Sequence, residues 1–574
     1  MCGFFWIESR YGFNEREINV INNRAKKFLQ NRGQDSFNIV CEDKYIACHT
    51  LHSITTGGDA SQPQTCREGR YTLLFNGEIY NYQDLIENYG LATGSSDTDI
   101  ILPLFKRFGF VPMLKLFEGM FSIIIHDTQD NEILAAVDRF GQKPLYVGFD
   151  KSSGFTKYWF SSDPRIVGEL NEEQINYEIY ENLGYFPSSI TPFKNAVRIS
   201  GGQMIGLQLE SSEHLVKIED VQNSLIYYDI EPEFRINNFK FVESFEEATV
   251  RLYSHGSSRP ACTLSGGMDS SSIVAALCLN DIKPDIYTVD LGEQNQNEML
   301  IAKKLCKQFG LTMNRIELDS NLIEDSYVKA LQCMPSPIHD GANAATYAVM
   351  KAVGEQHKAC LSGDGADELY GGYKRHKFFA VLDKLPNFVQ NTLISATDNL
   401  ISHNEFKDKI KLLKKTTSSK NLYEKFCNIA LICHGGTSIE KNIFSGTSYS
   451  NSFDENQRMS LYNICLFYDR FFFLPGWNLL RSDAVGLTNG VEVRSPFLHG
   501  FLPPESRFMA RVFMQKKPEV AKFLREHNLD YVVDQPKRGF AVHRDRLINE
   551  FGVDRDSVIF DRRAAFSLWK ETCL

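Results

Sequence analysis

The distribution of apolar residues predicts an α/β chain in two parts: a β-rich N-terminal half, then a half built on a doubly wound parallel sheet with extra helices. Up to about residue 205, short apolar runs recur between turn signals, the pattern of a strand-dominated domain. From Pro260 onward, strand-like runs alternate with stretches of helical spacing, which a parallel sheet covered by helices accommodates. A glycine-rich turn, Ser265-Gly266-Gly267, falls between the first strand and the first helix of that second half.

The expected strands of the first half are residues 37–40, 45–50, 71–75, 121–126, 133–137 and 144–149. Residues 211–240 are polar and mixed, and read as a link between domains. In the second half a strand over 261–264 leads through the glycine turn into a helix over 269–279. A strand over 285–291 precedes a helix over 298–309, which Gly310 ends. A third strand over 313–318, another helix and a strand over 359–361 lead to the glycine-rich stretch 362–372, and beyond about Ala380 the pattern is mostly helical. The basic stretch 407–420 reads as a solvated helix face or a loop.

With 574 residues, the chain has length for about three or four ordinary domain units. Hydrophobic residues at 43% and charged residues at 23% exclude wholesale disorder. The net charge of −10 argues against nucleic acid as the main partner, because phosphate backbones demand clustered Lys and Arg. No window approaches the roughly 18 apolar residues of a spanning helix. The run Phe4-Phe5-Trp6-Ile7 meets Glu8 too soon for a secretory segment, so a cytoplasmic protein is expected, with no membrane partner. Thirteen cysteines, an odd number without a Cys-x-x-Cys pair, speak against a disulfide framework or a paired-spacing zinc site.

Three segments carry chemistry. If Met1 is removed, Cys2 joins a thiol to a free α-amine, a nucleophile and its general base on one residue; an incidental Cys is the bland alternative. In Phe75-Asn76-Gly77-Glu78, the Asn amide and the Gly N–H could point two donors at an oxyanion, or the Asn-Gly pair could simply make a hairpin turn. The turn Leu264-Ser265-Gly266-Gly267-Met268-Asp269-Ser270 puts backbone N–H groups and a helix N-terminus around a phosphate, with Asp269 able to hold Mg²⁺. Its spacing is not that of a Walker loop. It is the Ser-Gly-Gly-x-Asp-Ser loop of ATP pyrophosphatases, which bind the pyrophosphate end and release AMP; a tight turn with a helix cap is the alternative.

From Cys2 to about Phe540, with segment order preserved, the chain resembles the glutamine-hydrolysing asparagine synthetase family. The first half contributes Arg32-Gly33-Gln34-Asp35, Gln62-Pro63, residues 75–82, Ser96-Asp97 and residues 138–146. The second contributes the loop at 264–272, Ser362-Gly363-Asp364-Gly365-Ala366-Asp367-Glu368, Gly371-Gly372-Tyr373, residues 491–498 and Lys537-Arg538-Gly539-Phe540. The resemblance implies a four-layer αββα glutaminase domain of the N-terminal-nucleophile type over 2–205 and a linker over 206–240. An ATP pyrophosphatase synthetase domain over 241–574 would follow, with ammonia passing inside the protein. It implies that Cys2 attacks glutamine, that Asn76 and Gly77 form the oxyanion hole, and that Glu78 and Asp97 hold the α-amino end. Leu264, Ser265, Gly266, Gly267, Asp269 and Ser270 would grip ATP, joined by Val289 at the adenine, and by Ser362 and Gly363. Asp269 and Asp367 would hold Mg²⁺, Asp364 would accept a proton, and Lys537 would neutralise the leaving pyrophosphate. Aspartate is the implied acceptor and a homodimer the implied assembly.

The chain departs from the family at three places. Leu51 stands where relatives place the Arg that pairs with the α-carboxylate of glutamine, so His52, Arg32 or another cation is expected to take over. Asp364 replaces a Glu, and His499 replaces the Asp that usually closes the motif after Arg494. These departures keep another acceptor acid open, such as a sugar acid, a peptide or a secondary metabolite. A fold kept without catalysis and a stand-alone glutaminase are further alternatives, but both leave the intact phosphate loop unexplained.

Overall fold

Successive side chains of a strand point to opposite faces, and in the first strand that alternation separates two layers. The computed structural model describes residues 2–54, 61–92, 96–150, 157–171, 174–187, 190–208, 226–227, 241–292, 296–386, 388–390, 392, 394, 404–434, 436, 459–499, 516–534, 548, 553–554 and 557–573. The first half forms strands β1 (Cys2–Ser9), β2 (Ser36–Cys41), β3 (Tyr45–Leu51), β4 (Gln64–Thr65), β5 (Tyr71–Ile79) and β6 (Gly119–Asp127). It continues with β7 (Glu132–Val137), β8 (Tyr146–Asp150), β9 (Lys157–Ser161), β10 (Ala196–Arg198), β11 (Gln203–Gln208) and β12 (Ile226–Tyr227). They make two antiparallel six-stranded sheets, ordered β10-β8-β9-β1-β3-β2 and β12-β11-β7-β6-β5-β4.

Phe4 and Trp6 of β1 share a core with Leu74, Ile124, Ile133 and Val137 of the facing sheet. Phe5 and Ile7 face the other way, into a core with Ile21, Ala25 and Phe28 of the helix Glu15–Leu29. On the outer face of the second sheet, Leu73, Phe75, Ile123 and Ile125 pack with Leu85, Ile101 and Leu104 from the helices Tyr82–Tyr89 and Ile101–Phe108. The result is helix, sheet, sheet, helix, the four layers the resemblance implies. Each fully buried side chain of this kind contributes about 1.5–3 kcal/mol.

All six strands expected in the first half are present. β1 falls in the run weighed as a secretory segment, and β4 and β9–β12 are additional. Of the expected link at 206–240, residues 206–208 belong to β11 and Ile226-Tyr227 pairs with it; the remainder lies outside the described residues.

The second half carries a parallel sheet of β13 (Ala261–Thr263), β14 (Ile286–Asp290), β15 (Met313–Glu317), β16 (Ala359–Leu361) and β17 (Glu492–Arg494), ordered β15-β14-β13-β16-β17. The helix Met268–Leu279 is buried on every side from Asp269 to Leu277. The chain first builds outward from β13 to β15, then returns to place β16 on the other side of β13. That reversal opens a crevice at the carboxyl ends of β13 and β16, where open α/β sheets bind ligands. The basic stretch at 407–420 lies mostly on the helix Asn404–Ser418. No helix among the described residues is long and apolar enough to cross a membrane, and all thirteen cysteines are free thiols.

The halves meet across a buried ionic seam. Asp483, on the helix Leu480–Thr488, accepts from Arg32 at 2.6 Å and from Lys143 at 3.0 Å. Against the burial of its carboxyl, these two cations hold Asp483 below the ordinary carboxylate range. Its stabilising contribution is therefore full above the unfolded carboxylate pKa and is lost as pH falls through the lower folded value. Asp483→Ala strands two buried cations and should lower stability by about 3–5 kcal/mol. Urea unfolding measured against pH should show the acid-side loss of stability reduced in the variant.

Candidate active sites

The N-terminal site is assembled where β1 and β5 begin and end. Cys2 pairs in the ladder with Leu51, and its backbone N–H donates to Asn76 Oδ1 at 3.1 Å. An N–H can only donate, so the amide oxygen of Asn76 faces Cys2 and its NH₂ group is turned elsewhere. That Nδ2 is buried and has no hydrogen-bond partner among the described residues. A buried unpaired donor costs about 1–3 kcal/mol. Gly77 continues β5, where a Cβ would lie 2.1 Å from the carbonyl oxygen of Met120.

Burial pushes the Cys2 thiol above its ordinary pKa, and the Glu78 and Asp97 charges push it further, while a backbone bond at His52 pulls it back. Asp97 Oδ2 accepts from the N–H of Ile79 at 2.8 Å. Burial raises the Asp97 carboxyl, and the adjacent Glu78 charge adds to the rise. Glu78 opposes its own burial through His255, whose Nε2 lies 2.7 Å from Glu78 Oε2, and so stays below the ordinary range. His255 follows the helix Phe241–Ser254 of the second half. It is held by Arg494, which donates to the carbonyls of Leu252 and His255 at 2.5 and 2.9 Å.

The structure brings together Cys2, Asn76, Gly77, Glu78 and Asp97. Of the cations named as stand-ins at Leu51, Arg32 meets Asp483 through a terminal nitrogen while its Nε is buried without a hydrogen-bond partner among the described residues, and burial lowers His52 to about 4, so its ring is neutral at physiological pH. His499 lies in the seam, its ring 5.0 Å from that of Tyr80, and burial takes it down to about 3.

The second site lies at the crevice between β13 and β16. The Ser265 N–H donates to Ser270 Oγ at 3.0 Å and the Gly267 N–H to Ser265 Oγ at 3.2 Å, which curls the turn over the helix N-terminus. Leu264 leads into it, its N–H on the carbonyl of Tyr287 at 2.9 Å, and Val289 lies on the neighbouring strand β14. Gly266 has φ +81°, and a Cβ there would sit 2.1 Å from the carbonyl oxygen of Glu298. The loop after β16 touches this turn, for a Cβ at Gly363 would fall 2.8 Å from Cβ of Asp269. A glycine turn at a helix N-terminus is suited to phosphate.

Asp364 Oδ2 accepts from Ser362 Oγ at 2.8 Å and from Ser482 Oγ at 2.7 Å. It lines a cavity of about 10 Å³ together with Ser482, Asp483 and Ser495 of the second half and Gln142 and Lys143 of the first. That volume is about the least that holds one water-sized molecule. Asp269 and Asp367 converge on one cation, the ammonium of Lys517. Lys537 lies outside the described residues. Sequence reasoning missed His255, Lys517, Ser482 and Asp483; Arg494 and Ser495 stood in a family motif without a role.

Residues 1–214 match the family described as a glutamine amidotransferase domain, and residues 241–556 match the asparagine synthase family. The chain is 23% identical over 528 residues to asparagine synthetase 1 (glutamine-hydrolyzing) of Bacillus subtilis, covering 87% of this chain and 79% of the relative. It is 28% identical over 335 residues to a Methanocaldococcus jannaschii protein assigned, without demonstration, as a second glutamine-hydrolyzing asparagine synthetase, covering 55% of this chain and 62% of the relative. The maize glutamine-hydrolyzing asparagine synthetase is 27% identical over 366 residues, covering 60% of this chain and 56% of the relative. The match thus spans less than two thirds of the M. jannaschii and maize relatives.

The close approach of β5 to β6 gives a direct test of the first site's geometry. Gly77→Ala drives a Cβ into the Met120 carbonyl and should lower stability by about 1–3 kcal/mol, read as a lower denaturation midpoint.

Proposed function

Because the chain belongs to the asparagine synthase family, we propose that it is an AMP-forming amide ligase that takes ammonia from glutamine and gives it to an adenylated carboxylate, most simply that of aspartate. The family uses ATP. One observation carries the reading: the cavity at the seam is walled by Gln142 and Lys143 of the first half and by Asp364 of the second. Arg32, in the short helix Gln30–Arg32, reaches from beside β1 to the cavity wall: a Cβ at Gly3 would sit 3.0 Å from Arg32 Cδ while its guanidinium reaches Asp483.

In the first site, the sulfur of Cys2 bonds to the amide carbon of glutamine, and the C–N bond breaks to release ammonia. Water then hydrolyses the thioester to glutamate. Burial keeps the thiol protonated, so a base must take its proton, and the α-amine of a processed Cys2 supplies one. The unpaired Asn76 amide and the Gly77 N–H are the oxyanion donors, a contribution of about 10²–10³ in rate for one such group.

In the second site an acceptor carboxylate oxygen attacks the α-phosphorus of ATP, and pyrophosphate leaves. The turn from Ser265 to Ser270 holds the departing phosphates, with Val289, Ser362 and Gly363 around the nucleotide and Lys537 on the leaving pyrophosphate. Asp269 and Asp367 already converge on a cation, so the pair fits Mg²⁺, which would neutralise phosphate charge there. Ammonia then adds to the acyl carbon, its proton passes to Asp364, and AMP departs with the acyl oxygen. Internal delivery matters because free ammonia in water at neutral pH is mostly ammonium, which is not a nucleophile.

The purified protein with glutamine, ATP and Mg²⁺ should form asparagine and AMP from aspartate. AMP release with a different acid only would move the assignment to that acid. Cys2→Ala should lose glutamine-driven turnover while keeping ammonia-driven synthesis, and Asp269→Ala should abolish AMP formation with either nitrogen source. Retention of glutamine-driven turnover in Cys2→Ala would refute the nucleophile.

A further inference from the structure

The acidic corner of the N-terminal site is closed by a ring from the other half of the chain. His255 Nε2 lies 2.7 Å from Glu78 Oε2, and each of the two side chains is only 5% exposed. Contacts on both sides of His255 fix where its ring stands. Arg494 donates to the carbonyls of Leu252 and His255. The next residue, Gly256, has φ +89°, and a Cβ there would lie 2.8 Å from Cγ2 of Ile54. Ser257 then donates to the Ile54 carbonyl through its N–H at 3.0 Å and its Oγ at 2.8 Å. The ring itself stands nearly perpendicular to those of Tyr80 and Tyr82, with centroids 5.0 and 6.0 Å away, an arrangement that aromatic pairs favour. Both tyrosines follow Glu78 within four residues, so His255 is seated against the carboxylate and its neighbours together.

We propose that His255 is a positioning residue of the glutamine site, supplied by the second half of the chain: it holds Glu78 oriented and negatively charged for the α-amino group of glutamine. The inference rests on the glutaminase reading given above and adds to it a residue from outside the glutaminase half.

The argument is one of charge placement. Glu78 and Asp97 are neighbouring buried carboxylates, and two such groups do not both ionise at small cost. An ionised carboxylate has no proton to give, so in its pair with Glu78 the imidazole carries the hydrogen on Nε2 and donates it. That bond favours the charged form of Glu78, which stays below the ordinary carboxylate range despite its burial. Asp97 accepts the N–H of Ile79 instead, and burial together with the Glu78 charge raises it. The ring thus decides which of the two acids bears the charge. An incoming ammonium group meets one fixed anion rather than a proton shared between two acids. A ligand of the same length without the amine gains nothing from that arrangement.

The Cys2→Ala protein, which binds glutamine without cleaving it, permits a test by titration calorimetry. The two ligands are L-glutamine and 4-carbamoylbutanoate, which is glutamine without its α-amino group. With His255 in place, glutamine should bind at least about tenfold more tightly than the amine-free acid. In the same background, His255→Ala should reduce that preference to less than about threefold, through weaker glutamine binding. His255→Phe fills the slot without a donor and should do the same, so the test survives an Ala variant that fails to fold. His255→Gln, whose amide can donate to Glu78, should restore most of the preference. A preference that survives in His255→Ala or His255→Phe would overturn the proposal, even if both ligands weakened together, because structural damage alone acts on both alike. Failure of His255→Gln to restore it would also overturn the proposal. A Cys2→Ala protein that binds neither ligand would refute the glutaminase reading itself, and the proposal with it.

Discussion

The ion pairs of Asp483 with Arg32 and Lys143 are the constraint on which the two-site arrangement depends. Three charged groups are taken out of water at the join of the halves, and such groups are tolerable only when each finds its counter-charge in good geometry. A small slip between the halves would lengthen both contacts and expose the cost of burying all three ions. A buried ion network is often no more stabilising than apolar packing of the same volume, and what this one supplies is a geometry in which both contacts to Asp483 hold at once. The cavity walled by Lys143, Asp483 and Asp364 lies at this fixed point.

A second consequence concerns the N-terminal site. With Leu51 in place of a cation, Arg32 drawn to Asp483 and His52 neutral, a side-chain partner for Glu78 comes from the other half. His255 pairs with Glu78, and Arg494 holds the segment from Leu252 to His255 in place. Arg494 ends β17, and its own carbonyl accepts the N–H of Ser362, the residue that bonds Asp364. The electrostatics around Cys2 and Glu78 are thus set partly by the strand that also holds the loop of Ser362 and Asp364. A change of register in that strand would be felt at Glu78.

Much of this was legible in the sequence, and what was not has physical reasons. β3, β5, β6 and β7 were legible as short apolar runs between turn signals, although β5 and β6 bury both their faces. β1 also buries both its faces, Phe4 and Trp6 on one side and Phe5 and Ile7 on the other, and it falls in the run weighed as a secretory segment. Cys2, Asn76 and the Ser265 turn are local, with chemistry written within a few consecutive residues. Asp483, His255 and Lys517 act on groups between about 150 and 450 positions away, and no spacing rule reaches that far. Arg32 is instructive in another way. Its motif was visible, but only the fold shows that its charge is spent across the seam.

The helix from Leu480 to Thr488 explains how so few residues serve both sites. Consecutive helical residues point about 100° apart, and here three in a row reach three different places. Arg481 pairs with Asp340, Ser482 bonds Asp364, and Asp483 meets Arg32 and Lys143. The helix is buried from Leu480 to Leu487, so none of these directions opens to solvent. Rotation of this turn to improve one contact would worsen the other two, and the position of Asp364 is therefore tied to the seam through a single rigid element. In the proposed ligase, where ammonia must not escape before the acid is activated, that linkage would make the join of the halves part of the synthetase site itself.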